Sequence, residues 1–124
     1  MPMPLLIAAA LAASLAVPSG ETWLFRVKHG RPIEARRAQP GAVPARGEIR
    51  ITARRMMGTT VTVLNNSRIA YTYRAVLIAA DGKTITAKSC VLPANNRLAM
   101  ESWPQVAVAV RVSDFKPTNA ANCR

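Results

Sequence analysis

Apolar and polar residues alternate with a period of two through most of this chain, the signature of strands with one buried face. The pattern is clearest in the stretch 59–90, where Val61 and Val63 alternate with Thr60, Thr62 and Leu64, and Tyr71, Tyr73, Ala75 and Leu77 alternate with Thr72, Arg74, Val76 and Ile78. A polar bend at Asn65-Asn66-Ser67 separates these two runs. Asp81-Gly82 signals a hairpin into a third strand over 84–90, ending on Cys90. The stretch reads as three consecutive antiparallel strands, the second covered on both faces near its end.

The same alternation predicts strands on either side. Residues 21–28 place Trp23, Phe25 and Val27 inward, and His29-Gly30-Arg31-Pro32 turns the chain into a short return strand from Ile33. In residues 48–56, Ile49, Ile51 and Ala53 oppose Arg50, Thr52 and Arg54, with a turn at Met57-Gly58. Residues 97–103 bring Leu98, Met100 and Trp103 toward the core, and residues 105–112 turn Val106, Val108, Val110 and Val112 inward, with Phe115 just beyond. Between these runs, residues 35–47 hold two prolines and two glycines with Val43 as the one large apolar side chain, which predicts an exposed connection. Seven or eight short strands with regular turn signals and no helical period define an all-β class, an immunoglobulin-like antiparallel β-sandwich, with an up-and-down barrel as the alternative.

Residues 1–19 change the picture. The first twenty residues carry no charge, Leu5 to Leu11 is apolar, and small residues offer cleavage after Ala16 or after Ser19. This is the layout of a secretory signal peptide, apart from a missing Lys or Arg at its start that a misassigned start codon would explain. The apolar run from Leu5 to Val17 is thirteen residues, against about 20 for a spanning helix, so an uncleaved anchor is disfavoured. The expected organisation is a signal peptide (1–19), an N-terminal strand with a basic connection (20–46) and the main sandwich with its tail (47–124). The expected location is periplasmic or extracellular. Export permits oxidation, and the two cysteines, Cys90 and Cys123, make at most one intramolecular disulfide. Such a bond would tie the polar tail and stabilise the fold by about 3–4 kcal/mol in the chain-entropy model. Two unbonded thiols, or a bond between chains, are the other readings.

Charge adds a second theme. The chain of 124 residues has a net charge of +11. Nine basic residues (Arg26, Lys28, Arg31, Arg36, Arg37, Arg46, Arg50, Arg54 and Arg55) face only Glu34 and Glu48 within 26–55, a local net of +7. That concentration suits an anionic envelope polymer such as lipopolysaccharide, an acidic glycan or lipid headgroups. Nucleic acid ranks below these, because no aromatic residue lies between Phe25 and Tyr71 to interleave with the cations. A basic but merely solvated surface is the plainer alternative.

Candidate chemistry is sparse. The one histidine, His29, lies in a turn, Asp81 is a hairpin residue, and Glu101 and Asp114 are isolated on different strands. No metal-ligand spacing or phosphate-binding loop is present, so neither a catalytic role nor a cofactor is expected. Met56, Met57 and Met100 do not form a thioether copper site, since adjacent strand residues point to opposite faces. Asn65-Asn66-Ser67 spells a glycosylation sequon but reads as a turn.

The segment Gly58-Thr59-Thr60-Val61-Thr62-Val63-Leu64-Asn65-Asn66-Ser67, followed by Tyr71-x-Tyr73-Arg74-Ala75, resembles the strand, Asn-rich bend, strand opening of immunoglobulin-like domains in exported bacterial proteins. Cys90-x-Leu92, Glu101-x-Trp103-Pro104 and the valine strand ending at Phe115 are similar to small uncharacterised exported proteobacterial proteins. The resemblance spans roughly 48–123. The first domain of periplasmic pilus-assembly chaperones is also similar, although those proteins carry a second such domain. The resemblance implies a non-catalytic binding or structural module of the cell envelope, acting on another macromolecule through a sheet edge, with binding of anionic envelope polymers through the 26–55 segment as the alternative.

Overall fold

Residues 13–120 are described in the computed structural model, and they contain strands, turns and no helix. Nine strands follow in chain order: β1 (Ser14–Pro18), β2 (Thr22–Lys28), β3 (Arg31–Ala38), β4 (Glu48–Arg55), β5 (Thr59–Asn66), β6 (Tyr71–Ile78), β7 (Thr84–Ala87), β8 (Arg97–Trp103) and β9 (Ala109–Pro117). They form a β-sandwich of two antiparallel sheets, one ordered β1-β9-β6-β7 and the other β3-β2-β4-β5-β8. The predicted all-β sandwich architecture is therefore present.

Alternation places the core where the period-two reading put it for most strands. Phe25, Ile49, Ile51, Ala53, Val61 and Val63 face inward from the five-stranded sheet, and Tyr71, Tyr73, Ala75, Leu77, Val110 and Val112 from the four-stranded one. Val76 on the opposite side of β6 is also buried, as expected for a strand paired on both edges. The two-residue turn His29-Gly30 has both φ angles positive, at 52° and 77°, which is the twist a tight hairpin requires. Asp81 closes the β6–β7 hairpin by accepting the Lys83 amide at 2.9 Å.

Several expectations are corrected. The stretch 59–90 is not a three-strand meander: β5 and β6 lie in different sheets, and residues 67–70 cross between them. Asn65, fully buried, pins that crossing by donating from Nδ2 to the carbonyls of Ile69 and Pro93. Its burial also removes it from reach as a glycosylation acceptor in the folded chain. The third strand stops at Ala87, short of Cys90. In β8 the predicted phase is inverted: Leu98 and Met100 are 60% and 69% exposed, while Ala99 and Trp103 pack against the core. Val106 and Val108 precede β9 and are exposed.

Phase shifts explain the remaining departures. On β9 the inward residues run Val110, Val112 and then Phe115, because a register shift opposite Thr72/Arg74 and a positive φ of 54° at Asp114 mark a bulge there. The bulge turns Asp114 out and Phe115 in. A similar shift with a φ of 52° at Glu34 kinks edge strand β3.

Of the connection expected over 35–47, residues 35–38 belong to β3, and residues 39–47 are mostly exposed, as expected, while running as a strap over the outer face of the five-stranded sheet. Ala38 and Thr52 flank Thr22 on either side, so the strap must return along β4 to reach Glu48, about 13 Å away along the strand. Arg50 Nη1 donates to Ala42 O at 2.8 Å, and Asn66 Nδ2 donates to Pro44 O at 2.9 Å. Pro44 and Leu24 are consequently buried, although Leu24 faces away from the core.

Residues 14–19, expected to leave with the signal peptide, form β1 and its turn. Val17 is 0% exposed and Leu15 is buried. The signal-peptide reading of residues 1–12 lies outside the described residues, as does Cys123, the expected partner of Cys90.

Gly58, at φ 115°, packs where an added Cβ would overlap the Trp103 carbonyl oxygen and lie 2.9 Å from the Pro104 carbonyl carbon. Both contacts are to backbone and cannot swing away. Gly58→Ala is therefore expected to destabilise the fold by about 2–3 kcal/mol, read as a lower urea midpoint. An unchanged midpoint would show that the β4–β5 turn is not as tightly fitted against β8 as described.

Candidate functional site

The nine predicted basic residues do not form one patch. Four are engaged in holding the five-stranded sheet and its strap. Arg36 pairs with Glu48, Arg37 lies 3.7 Å from Glu21, and Arg26 lies 3.7 Å from Glu34 while donating to Arg46 O at 2.9 Å. Arg50 reaches Ala42 O. The other five separate to opposite ends of the sandwich. Lys28 and Arg31 flank the β2–β3 turn, and Arg46 ends the strap beside the same end, while Arg54 and Arg55 close β4 at the far end.

The end that carries Lys28, Arg31 and Arg46 gains cations from elsewhere in the chain. Arg68 lies in the β5–β6 crossing, Arg97 opens β8, and Lys116 lies near the end of β9. A cavity of about 580 Å³ there is lined by Ala13, His29, Gly30, Arg31, Asp114, Phe115 and Lys116. A smaller one of about 100 Å³ is lined by Arg46, Asn66, Ser67, Arg68 and Asn95. Among the described residues, the first is lined by one histidine, His29, one carboxylate, Asp114, and two cations, Arg31 and Lys116. Among the described residues no group of three or more His, Cys, Asp or Glu side chains is placed to hold a metal ion.

Three carboxylates, Glu48, Glu21 and Glu101, are engaged in structural roles. Glu48 is only 3% exposed, is paired with Arg36 and accepts the Ala45 amide at 2.8 Å. The Arg36 hydrogen bond holds its carboxyl below the usual range, with the Ala45 amide and nearby guanidiniums helping against desolvation. Glu21 accepts from Trp23 Nε1 at 2.9 Å. Glu101 is the acidic group that sequence reading left isolated and the structure places in the sandwich side. It faces inward from β8, accepting the Cys90 amide at 2.6 Å and the Tyr73 hydroxyl at 3.3 Å. Burial raises the Glu101 carboxyl above its ordinary range, those two donors working the other way. Burial also pushes the Tyr73 phenol up, Glu101 adding to it. The one signal that could have located Glu101 is its alternation with Ala99 and Trp103, read in the opposite phase.

Of the four sheet edges, three are short or guarded. β1 has five residues and ends at Pro18, β7 has four, and β3 bears Arg31, Arg36 and Arg37 with a kink at Glu34. β8 differs. It pairs only with β5, runs seven residues, and carries no cation from Leu98 to Trp103. Leu98 and Met100 project from its solvent face beside Leu64 and Thr62 of β5.

No protein-family model, curated protein or solved structure matches this chain.

Glu48 makes a pH prediction. Its carboxyl is lowered on folding, so the stability it adds is present above the unfolded value of about 4.5 and is lost as pH falls through the depressed folded value. Glu101, raised on folding, acts in the opposite direction: its term weakens the fold as pH rises from the unfolded value through the raised one. In Glu48→Gln, the acid-side loss of stability should flatten, at a cost of about 1–2 kcal/mol near neutral pH. Urea midpoints across pH 3–7 measure this; a variant with the same acid slope as the parent would remove Glu48 as the strap's anchor.

Proposed function

We propose that this chain is an exported, non-catalytic immunoglobulin-like β-sandwich that binds another macromolecule of the cell envelope at the edge of β8. The observation that carries this reading is the β8 edge itself, seven residues long with no cation from Leu98 to Trp103, and with Leu98 and Met100 exposed beside it. Unpaired edge N–H and C=O groups accept an extended strand, and alternate side chains give that pairing its specificity. The partner is an extended, acidic peptide segment with apolar residues at alternate positions. Its acidity complements a chain of net charge +11, and its apolar positions meet Leu98 and Met100. The absence of catalysis is supported by how the carboxylates are used: Glu21, Glu34, Glu48, Asp81 and Glu101 each hold a turn, a strap or a neighbouring strand.

The second reading, binding of an anionic envelope polymer, is favoured by the cations gathered at the β2–β3 turn end, namely Lys28, Arg31, Arg46, Arg68, Arg97 and Lys116. It replaces the nine basic residues of the 26–55 segment with side chains drawn from separate parts of the chain.

A photo-crosslinking residue at Met100, in the exported chain within the native envelope, should capture a discrete protein adduct that survives moderate salt. If no such adduct forms and envelope material is instead retained only at low salt, the β8 reading fails and the polymer reading replaces it, since polyanion binding weakens steeply with ionic strength.

We further propose that Cys90 and Cys123 are joined, tying the tail beside β9 to the segment after β7. Proteolysis of the unreduced exported protein should release both cysteines in one cross-linked peptide. Two separately alkylated peptides would remove the tie.

A further inference from the structure

We propose that the cleft between Arg46 and Arg68 binds one tetrahedral oxyanion, the phosphate or sulfate monoester of an anionic polymer. That the oxyanion belongs to a polymer rests on the second reading above; the site itself is read from the residues that form it.

Three segments far apart in sequence meet at this cleft: the end of the strap, the end of β5 with the bend after it, and the loop before β8. Arg46, Asn66, Ser67, Arg68 and Asn95 line it. Backbone hydrogen bonds tie the segments to one another. Gly47 N donates to Asn66 O at 2.6 Å, Asn95 N to Ser67 O at 2.7 Å, and Asn96 N to Asn65 O at 2.7 Å. Side chains add two more ties, Asn66 Nδ2 to Pro44 O and Arg26 Nη1 to Arg46 O, both at 2.9 Å. Asn95 and Asn96 each have a φ of 63°, a left-handed conformation that asparagine tolerates better than most residues. The backbone of the cleft is therefore set before a ligand arrives, which lowers the ordering cost of binding.

The groups left over in the cleft are cationic. Ser67 Oγ is spent on Ile69 O, and Asn66 Nδ2 on Pro44 O. Among the described residues, no carboxylate lies within ion-pair distance of Arg46 or Arg68, and neither guanidinium donates a hydrogen bond. The Glu48 carboxylate, close to Arg46 in sequence, is taken by Arg36 and the Ala45 amide. Each guanidinium presents a planar fork of N–H donors that matches the paired oxygens of a phosphate or sulfate. Two like charges brought to one cleft repel, and an anion between them removes that cost. The volume of about 100 Å³ suits one compact group. The larger cavity at the same end is lined by the Asp114 carboxylate as well as by Arg31 and Lys116, so an anion there meets a like charge. Two cations with no acid between them single out the Arg46–Arg68 cleft.

The test titrates the full chain with inorganic phosphate and, separately, sulfate at constant ionic strength, with acetate as the control anion. The side-chain Nε–H NMR signals of Arg46 and Arg68 should shift saturably with the tetrahedral anions and not with acetate. Arg68→Gln should weaken this binding about tenfold. Arg68→Lys, which keeps the charge but loses the fork, should weaken it too. Arg54→Gln removes the same charge from an exposed position at the far end of the sandwich and should bind as the parent does. Shifts that do not saturate, or equal weakening by R54Q and R68Q, overturn the site. A second arm measures retention on lipopolysaccharide and on a sulfated glycan, each beside its dephosphorylated or desulfated form. Retention that is lost with one ester and reduced in R68Q supports the site and identifies the ester. Retention equal in parent and R68Q overturns the site and leaves the polymer reading intact. Saturable binding of the inorganic anions with no polymer retained supports the site and overturns the polymer reading.

Discussion

The sandwich depends on Phe115. Its ring lies 5.5 Å from Phe25 of the opposite sheet, 5.6 Å from Tyr73 in a stacked pair and 6.0 Å from Tyr71 edge-on. Pairs of this geometry add about 0.5–1.5 kcal/mol beyond the area they bury. Phe115 enters this cluster only because β9 is bulged; strict alternation after Val110 and Val112 would send Asp114 into the core. The backbone is committed to the same position, since Phe115 N donates to Gly30 O at 3.0 Å. Gly30 is close enough that an added Cβ would lie 3.1 Å from Phe115 O. The β2–β3 hairpin, the bulge and the inter-sheet contact are thus one arrangement, and a change to any of them moves the others.

Around that centre the polar groups follow from size and connectivity. β3 ends at the opposite end of the sheet from the start of β4, so the chain must cross the outer face, and a crossing backbone needs partners. Arg36, Arg50, Asn66 and Glu48 supply them. This explains why so basic a segment yields no single cationic surface: its arginines act on carbonyls and carboxylates within the strap. The cations gathered at the β2–β3 turn end come from segments that are distant in sequence and adjacent only at that end of the sandwich.

Much of the core was readable in advance because alternation is a local property. Ile49, Ile51 and Ala53, or Tyr71, Tyr73, Ala75 and Leu77, announce their inward face without knowledge of any partner. Features that depend on a partner were not readable. Leu98 and Met100 outrank Ala99 and Glu101 in hydrophobicity, and nothing local says that Tyr73 and the Cys90 amide wait inside for a carboxylate. The strap's prolines and glycines look the same whether a chain floats or docks. Residues 14–18 combine alanine, leucine and valine, a composition that suits both an export leader and a buried strand. The crossing between β5 and β6 was hidden for a related reason, since Asn65 resembles any turn former until its side chain is seen bonded to two separate loops.

The inverted phase of β8 bears on how that edge behaves. A charged side chain aimed inward from an edge strand is one of the ways sheets discourage indiscriminate pairing. Glu101 fits that description, yet it is satisfied by Tyr73 and by the Cys90 amide, so it holds β8 against the segment after β7 instead of repelling it. Trp103 does the same by donating from Nε1 to Lys88 O at 2.9 Å. The inner face of β8 is therefore fixed by polar contacts, and on its outer face Ser102 Oγ hydrogen-bonds Thr60 Oγ1 at 2.9 Å beside the exposed Leu98 and Met100. A strand added along this edge meets a rigid template, and it need not disturb Glu101 to pair. On the proposed reading, such rigidity would lower the ordering cost of association, and Leu98 and Met100 would select which strands fit.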